Sequence, residues 1–84
     1  TKRFGALLKR SAHAEALIAH PRILALTDAV LGPHCDRWNL NLTQALALYP
    51  GQAAQAPHRD ENMWRGPTGA IEYLVNVMWP ITPY

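Results

Sequence analysis

Residues 70–81 read AIEYLVNVMWPI, and their side chains alternate in character. Ile71, Tyr73, Val75, Val77, Trp79 and Ile81 fall on one side of an extended chain, and Glu72, Leu74, Asn76 and Met78 on the other. A period of two predicts a strand, because successive side chains of an extended backbone point to opposite faces. NLNLTQALALY at 39–49 has the same period. Leu40, Leu42, Leu46 and Leu48 share one face there, and Asn39, Asn41, Thr43 and Tyr49 share the other. Pro50-Gly51 closes that stretch, and Gly66-Pro67-Thr68-Gly69 opens the later one.

The first third has a different period. Phe4, Leu7 and Leu8 have helical spacing, as do Ala14, Leu17 and Ile18. His20-Pro21 interrupts the pattern, because a residue before proline avoids the helical region. Pro21 then suits the first turn of a new helix. Ile23, Leu26, Thr27, Val30 and Leu31 form one stripe along it, and Gly32-Pro33 stops it. Helices followed by strands predict an α+β arrangement, with N-terminal helices packed on one face of a sheet. The Leu row and the Ile/Val/Trp row are then expected under the helices. Asn41, Thr43 and Asn76 are expected to face a cavity, as in a ligand-holding jelly roll. An exposed outer sheet face carries the same pattern.

The chain has 84 residues, 49% of them hydrophobic, with three Trp. That is more apolar surface than one small domain readily hides. The start at Thr1 and the stop at Tyr84 without a closing element fit a fragment of a larger domain. Net charge is +2, with Lys2, Arg3, Lys9 and Arg10 bunched near the start. Without interleaved aromatics this cluster reads as a solvated helix face, giving no expectation of nucleic acid or membrane as a partner. No apolar run approaches the roughly 18 residues of a membrane span. One cysteine, Cys35, rules out an intrachain disulfide and suits a reducing, cytoplasmic setting, where it reads as a small packed side chain. The sequence shows no internal repeat and no linker, and its oligomeric state is not legible.

Between the alternating stretches lies APHRDENMW, Ala56 to Trp64. If this segment is extended, His58 and Asp60 project from the same side and Arg59 from the other. One imidazole nitrogen and one carboxylate oxygen make two ligands of a 2-His-1-carboxylate triad, which holds Fe(II) and leaves positions open. The thiolates of a structural zinc site are absent. A loop histidine hydrogen-bonded to a nearby carboxylate uses the same residues.

The stretch LYPGQAAQAPHRDENMW, followed by IEYLVNVMWPITPY, resembles the phytanoyl-CoA dioxygenase-like family of Fe(II)/2-oxoglutarate-dependent oxygenases. The ectoine hydroxylases of that family show a similar His-x-Asp-x-x-x-Trp, matching His58, Asp60 and Trp64. The resemblance covers roughly residues 21–84 and is carried mostly by the His-x-Asp segment. It implies a double-stranded β-helix (a cupin-like jelly roll) with helices packed on one sheet. Residues 1–33 would be the helical region and 39–84 the first strands, within a single incomplete domain. It implies that His58 and Asp60 are the first two iron ligands and the catalytic pair. It implies oxidation of a small organic molecule by O2, with 2-oxoglutarate as co-substrate. An aspartate at position 60 implies hydroxylation, since related halogenases carry a small residue there.

Within that reading Trp64 is a candidate substrate wall. Asn76, Asn41 and Thr43 are candidates to bind 2-oxoglutarate, with Gln44 added if a bulge shifts the register. Glu61–Gly69 is a candidate lid. The resemblance places the distal histidine and the basic 2-oxoglutarate partner on later strands, beyond Tyr84. His13, His20 and His34 precede the motif and are poor substitutes. Two other readings use the same residues: a cupin-like metal protein that does not use 2-oxoglutarate, and a non-catalytic module that binds a partner through strand edges.

Overall fold

A computed structural model describes residues 1–83; Tyr84, the end of the IEYLVNVMWPITPY stretch, lies outside the described residues. The order is β1 (Lys2–Gly5), α1 (Leu7–Arg10), α2 (Ala14–Ile18), α3 (Pro21–Leu31), a 3-10 turn at Gly32–His34, β2 (Gln44–Ala47) and a second 3-10 turn at Asp60–Met63. Three helices and a two-stranded antiparallel sheet make this an α+β arrangement. Among the described residues no helix is long and apolar enough to cross a membrane.

Helix α3 forms where the sequence predicts it. Pro21 occupies its first turn, and the His20 ring caps it, with Nδ1 accepting the Arg22 backbone N–H at 3.2 Å. Ile23, Thr27, Val30 and Leu31 lie on the covered side, whereas Leu26 is exposed, so the covered stripe is narrower than the spacing predicts. Thr27 is buried and donates its hydroxyl proton to the Ile23 carbonyl at 2.8 Å. That local bond satisfies a hydroxyl that would otherwise be stranded among apolar neighbours.

Upstream, the helical reading of Phe4 is corrected. Phe4 lies in β1, and Ala6 takes a left-handed conformation (φ 54, ψ 49) that no right-handed helix can cross. The helix therefore starts only at Leu7, whose backbone N–H donates to the Thr43 hydroxyl at 3.0 Å.

The two alternating stretches fare differently. In 39–49 only Gln44–Ala47 pairs, with Lys2 opposite Ala47, Arg3 opposite Leu46, Phe4 opposite Ala45 and Gly5 opposite Gln44. The ladder is four residues long because β1 offers four residues to pair with. Residues 70–81 join no ladder among the described residues. An alternating pattern supplies a face, but a strand also needs a neighbour to receive its backbone N–H and C=O groups. The burial still alternates in part: Ile71, Tyr73, Val75 and Val77 are half-buried, and Glu72, Asn76 and Met78 are exposed.

The expected cover over the Leu row is also corrected. Leu42, Leu46 and Leu48 are exposed, because no helix lies across that side of β2. Leu40 alone joins an apolar groove with Leu8, Ile18, Leu24 and Trp38. Cys35 is exposed rather than packed, and donates weakly from Sγ to the Leu31 carbonyl at 3.1 Å. At the far end, Trp79 meets His20, ring centroids 5.8 Å apart, which ties the 70–81 stretch to the start of α3.

Only Ala14 and Thr27 are buried among the described residues. The accessible surface is 7532 Å², whereas a compact chain of this length exposes about 5,000 Å². The radius of gyration is 14.8 Å, against about 12 Å for a compact domain of this size. Apolar surface left open on this scale is normally covered by more protein.

Two stability outcomes follow. His20→Asn keeps a capping acceptor and loses the Trp79 contact, while His20→Phe does the reverse. Each is expected to lower the unfolding free energy by about 1 kcal/mol, and His20→Ala by about 2 kcal/mol, in urea denaturation. Second, the Tyr73 hydroxyl donates to the Pro67 carbonyl at 2.6 Å, and a Cβ on Gly66 would stand 2.6 Å from that same hydroxyl. Gly66→Ala and Tyr73→Phe are each expected to cost about 1 kcal/mol. Because both break one contact, the double variant is expected to cost no more than the larger single one.

Candidate metal centre

The backbone around Arg59 is extended (φ −110, ψ 131), and a 3-10 turn begins at Asp60. That one extended residue suffices to put its two neighbours on a common side. His58 Nε2 and Asp60 Oδ1 stand 3.3 Å apart, and Arg59 points elsewhere, its guanidinium 2.9 Å from Glu61 Oε1. The convergence expected from the sequence is present.

The outer atoms of both side chains are occupied as well. His58 Nδ1 lies 2.9 Å from the Ala56 carbonyl oxygen. A carbonyl only accepts, so Nδ1 carries the proton and donates it. In the neutral ring Nε2 is then a bare lone pair directed at a carboxylate oxygen. Two acceptors facing each other repel unless a cation or a proton lies between them. The two cases have similar distances. A charge-assisted N–H···O bond is usually about 2.7–2.9 Å. Two ligand atoms each about 2.1 Å from one metal ion, at right angles, stand about 3.0 Å apart. The 3.3 Å found here is a little longer than either, and suits both an open imidazole–carboxylate contact and two ligand atoms sharing one ion. The donor set therefore fits two adjacent ligands of a divalent ion.

On the other side, Asp60 Oδ2 accepts from the Asn76 side-chain amide at 2.6 Å. Glu72 and Leu74 line an open depression together with Arg59, Asp60 and Glu61. The even-numbered face of the 70–81 stretch thus meets the His-x-Asp segment, as the alternation predicts, although no ladder holds it there. Both side chains keep solvent contact, at 52% for His58 and 40% for Asp60. Among the described residues no group of three His, Cys, Asp or Glu side chains comes together to hold a metal.

Arg59 is held above its ordinary range, first by its hydrogen bond to Glu61, then by the charges of Glu61 and Glu72. It stays cationic and committed to Glu61, whose side chain is only 12% exposed. Arg59 projects away from His58 and Asp60 as the alternation predicts, and its partner is a carboxylate two residues on. Glu61, the first residue of the candidate lid, and Glu72 both line the depression beside Asp60. Their place on one face with Leu74 and Asn76, or beside Asp60, was the available signal.

The other candidates are placed unevenly. Asn76 reaches Asp60. Thr43 is half-buried, and its hydroxyl accepts the Leu7 N–H, which gives it a structural partner near the start of α1. Gln44 is half-buried in β2 opposite Gly5, and Asn41 is exposed. Trp64 ends the 3-10 turn, donates its backbone N–H to the Glu61 carbonyl at 2.9 Å, and is 40% exposed.

Comparison with known proteins adds a separate line. The family model described as phytanoyl-CoA dioxygenase (PhyH) matches residues 1–84. Among curated proteins, Dioxygenase FrzG of Cladobotryum sp is 32% identical over 91 residues, a match covering 100% of this chain and 29% of that protein. The chain thus spans less than a third of the length of this relative. No solved structure matches. With the family model covering its whole length, and with His58 and Asp60 converging where the resemblance puts them, the chain belongs to the phytanoyl-CoA dioxygenase family.

Proposed function

We propose that these residues form the His-x-Asp half of a non-haem Fe(II)/2-oxoglutarate-dependent oxygenase that hydroxylates a small organic molecule. The observation that carries the reading is the 3.3 Å approach of His58 Nε2 to Asp60 Oδ1, with Nδ1 already turned to the Ala56 carbonyl. Family membership and the dioxygenase relative support the reaction class. In this reading residues 39–84 supply the first strands of a double-stranded β-helix, and residues 1–33 the helices against it. The alternation in 39–49 and 70–81 supports that arrangement.

Bound iron and 2-oxoglutarate would supply the oxidising power, with O2 consumed and 2-oxoglutarate converted to succinate and carbon dioxide. The chain's own residues bind and orient. His58 offers Nε2 because the Ala56 carbonyl fixes the opposite tautomer. Asp60 offers one oxygen on the same side and fills the carboxylate position, which leaves no vacancy for halide and favours hydroxylation. Trp64, four residues beyond Asp60, is the proposed substrate wall. Asn41 and Gln44 remain the proposed contacts to 2-oxoglutarate, whereas Thr43 is engaged by Leu7. The third ligand and the basic partner of 2-oxoglutarate are expected from later strands of the family fold.

The test is succinate formation from 2-oxoglutarate in the full protein supplied with Fe(II). His58→Ala and Asp60→Ala are each expected to lower it by more than the roughly 10–100-fold that loss of an outer partner costs. Wild-type turnover in His58→Ala sinks the assignment. Metal binding without any succinate favours the cupin-like alternative.

A further inference from the structure

We infer that Asn76 is a positioning residue, whose amide holds the Asp60 carboxylate so that a single oxygen faces His58. The inference rests on the iron-oxygenase reading and adds a role for a residue outside the His-x-Asp tripeptide. Asn76 Nδ2 donates to Asp60 Oδ2 at 2.6 Å, while Asp60 Oδ1 lies 3.3 Å from His58 Nε2. A carboxylate rotates freely about its last bond unless an oxygen is held, and when free it can offer a metal one oxygen or both. Here Oδ2 is engaged by a donor sixteen residues away in sequence. A group donating to Oδ2 draws on the electron density that a second metal–oxygen bond would need. The carboxylate is therefore set to bind through Oδ1 alone, which keeps a further coordination position free for a chelating co-substrate.

The same arrangement repeats at the other ligand, where the Ala56 carbonyl sets the His58 ring through Nδ1. Outer hydrogen bonds of this kind fix a ligand's orientation and tune its basicity. Asn76 sits on the even face of the 70–81 stretch with Glu72 and Leu74, which line the depression beside Asp60. This assignment replaces the expectation that Asn76 contacts 2-oxoglutarate directly.

The experiment is Mn(II) titration followed by electron paramagnetic resonance, with Co(II) absorption as a coordination probe, on the full protein. Asn76→Leu is expected to weaken Mn(II) binding about 10–100-fold and to change the Co(II) spectrum, with the metal-free melting curve unmoved because Asn76 is exposed. Asn76→Ala removes the same donor without adding apolar bulk and is expected to match it, which keeps the test valid if the leucine variant misfolds. Asn76→Gln, which restores a donor, is expected to recover most of the affinity. Wild-type Mn(II) affinity in both Asn76→Leu and Asn76→Ala, alongside loss in His58→Ala, overturns this inference and leaves the oxygenase reading standing. No Mn(II) binding by the wild type overturns both.

Discussion

A carboxylate has two oxygens, and at Asp60 each is given a different partner. One faces the imidazole of His58, and the other takes the amide of Asn76. The first contact is local and follows from one extended residue between two side chains. The second spans sixteen residues and joins the motif to the 70–81 stretch. Between them lies the loop through Gly66, held partly by the Tyr73 hydroxyl on the Pro67 carbonyl. Much of what makes this surface a candidate site depends on that carboxylate being held from both sides.

The site is open, and that sets the energetics. With the His58 and Asp60 side chains partly in water, their charges are screened, and neither contact stabilises the fold by much. On the proposed reading the site's role is preorganisation for an ion rather than structural glue.

The helices position little of this directly. Trp79 on His20 ties the 70–81 stretch to the start of α3, and Thr43 on the Leu7 N–H ties the edge of β2 to α1. The large apolar side chains of β2 and of the segment before it stay exposed, as do Met78 and Ile81. Surface of this kind matches a chain that spans 29% of a relative's length. The excess area over a compact chain measures how little apolar surface the described elements cover among themselves.

The sequence by itself determined what depends on neighbours along the chain. Pro21 and Gly32-Pro33 set the limits of α3, and the one-residue separation of His58 and Asp60 set their common side. It also determined which residues of 71–77 share a face, because alternation is a property of extended backbone whether or not a ladder forms. It misread Phe4, since helical spacing of apolar residues cannot announce a left-handed turn at Ala6. The rest was decided by contacts between distant segments. Ladder length in β2 was fixed by the four residues of β1, and the partner of Thr43 by the start of α1. The partner of Asn76 was fixed by the return of 70–81 to the motif. Spacing specifies the side on which a residue stands, and only the folded path of the chain brings a second segment within hydrogen-bonding distance of it.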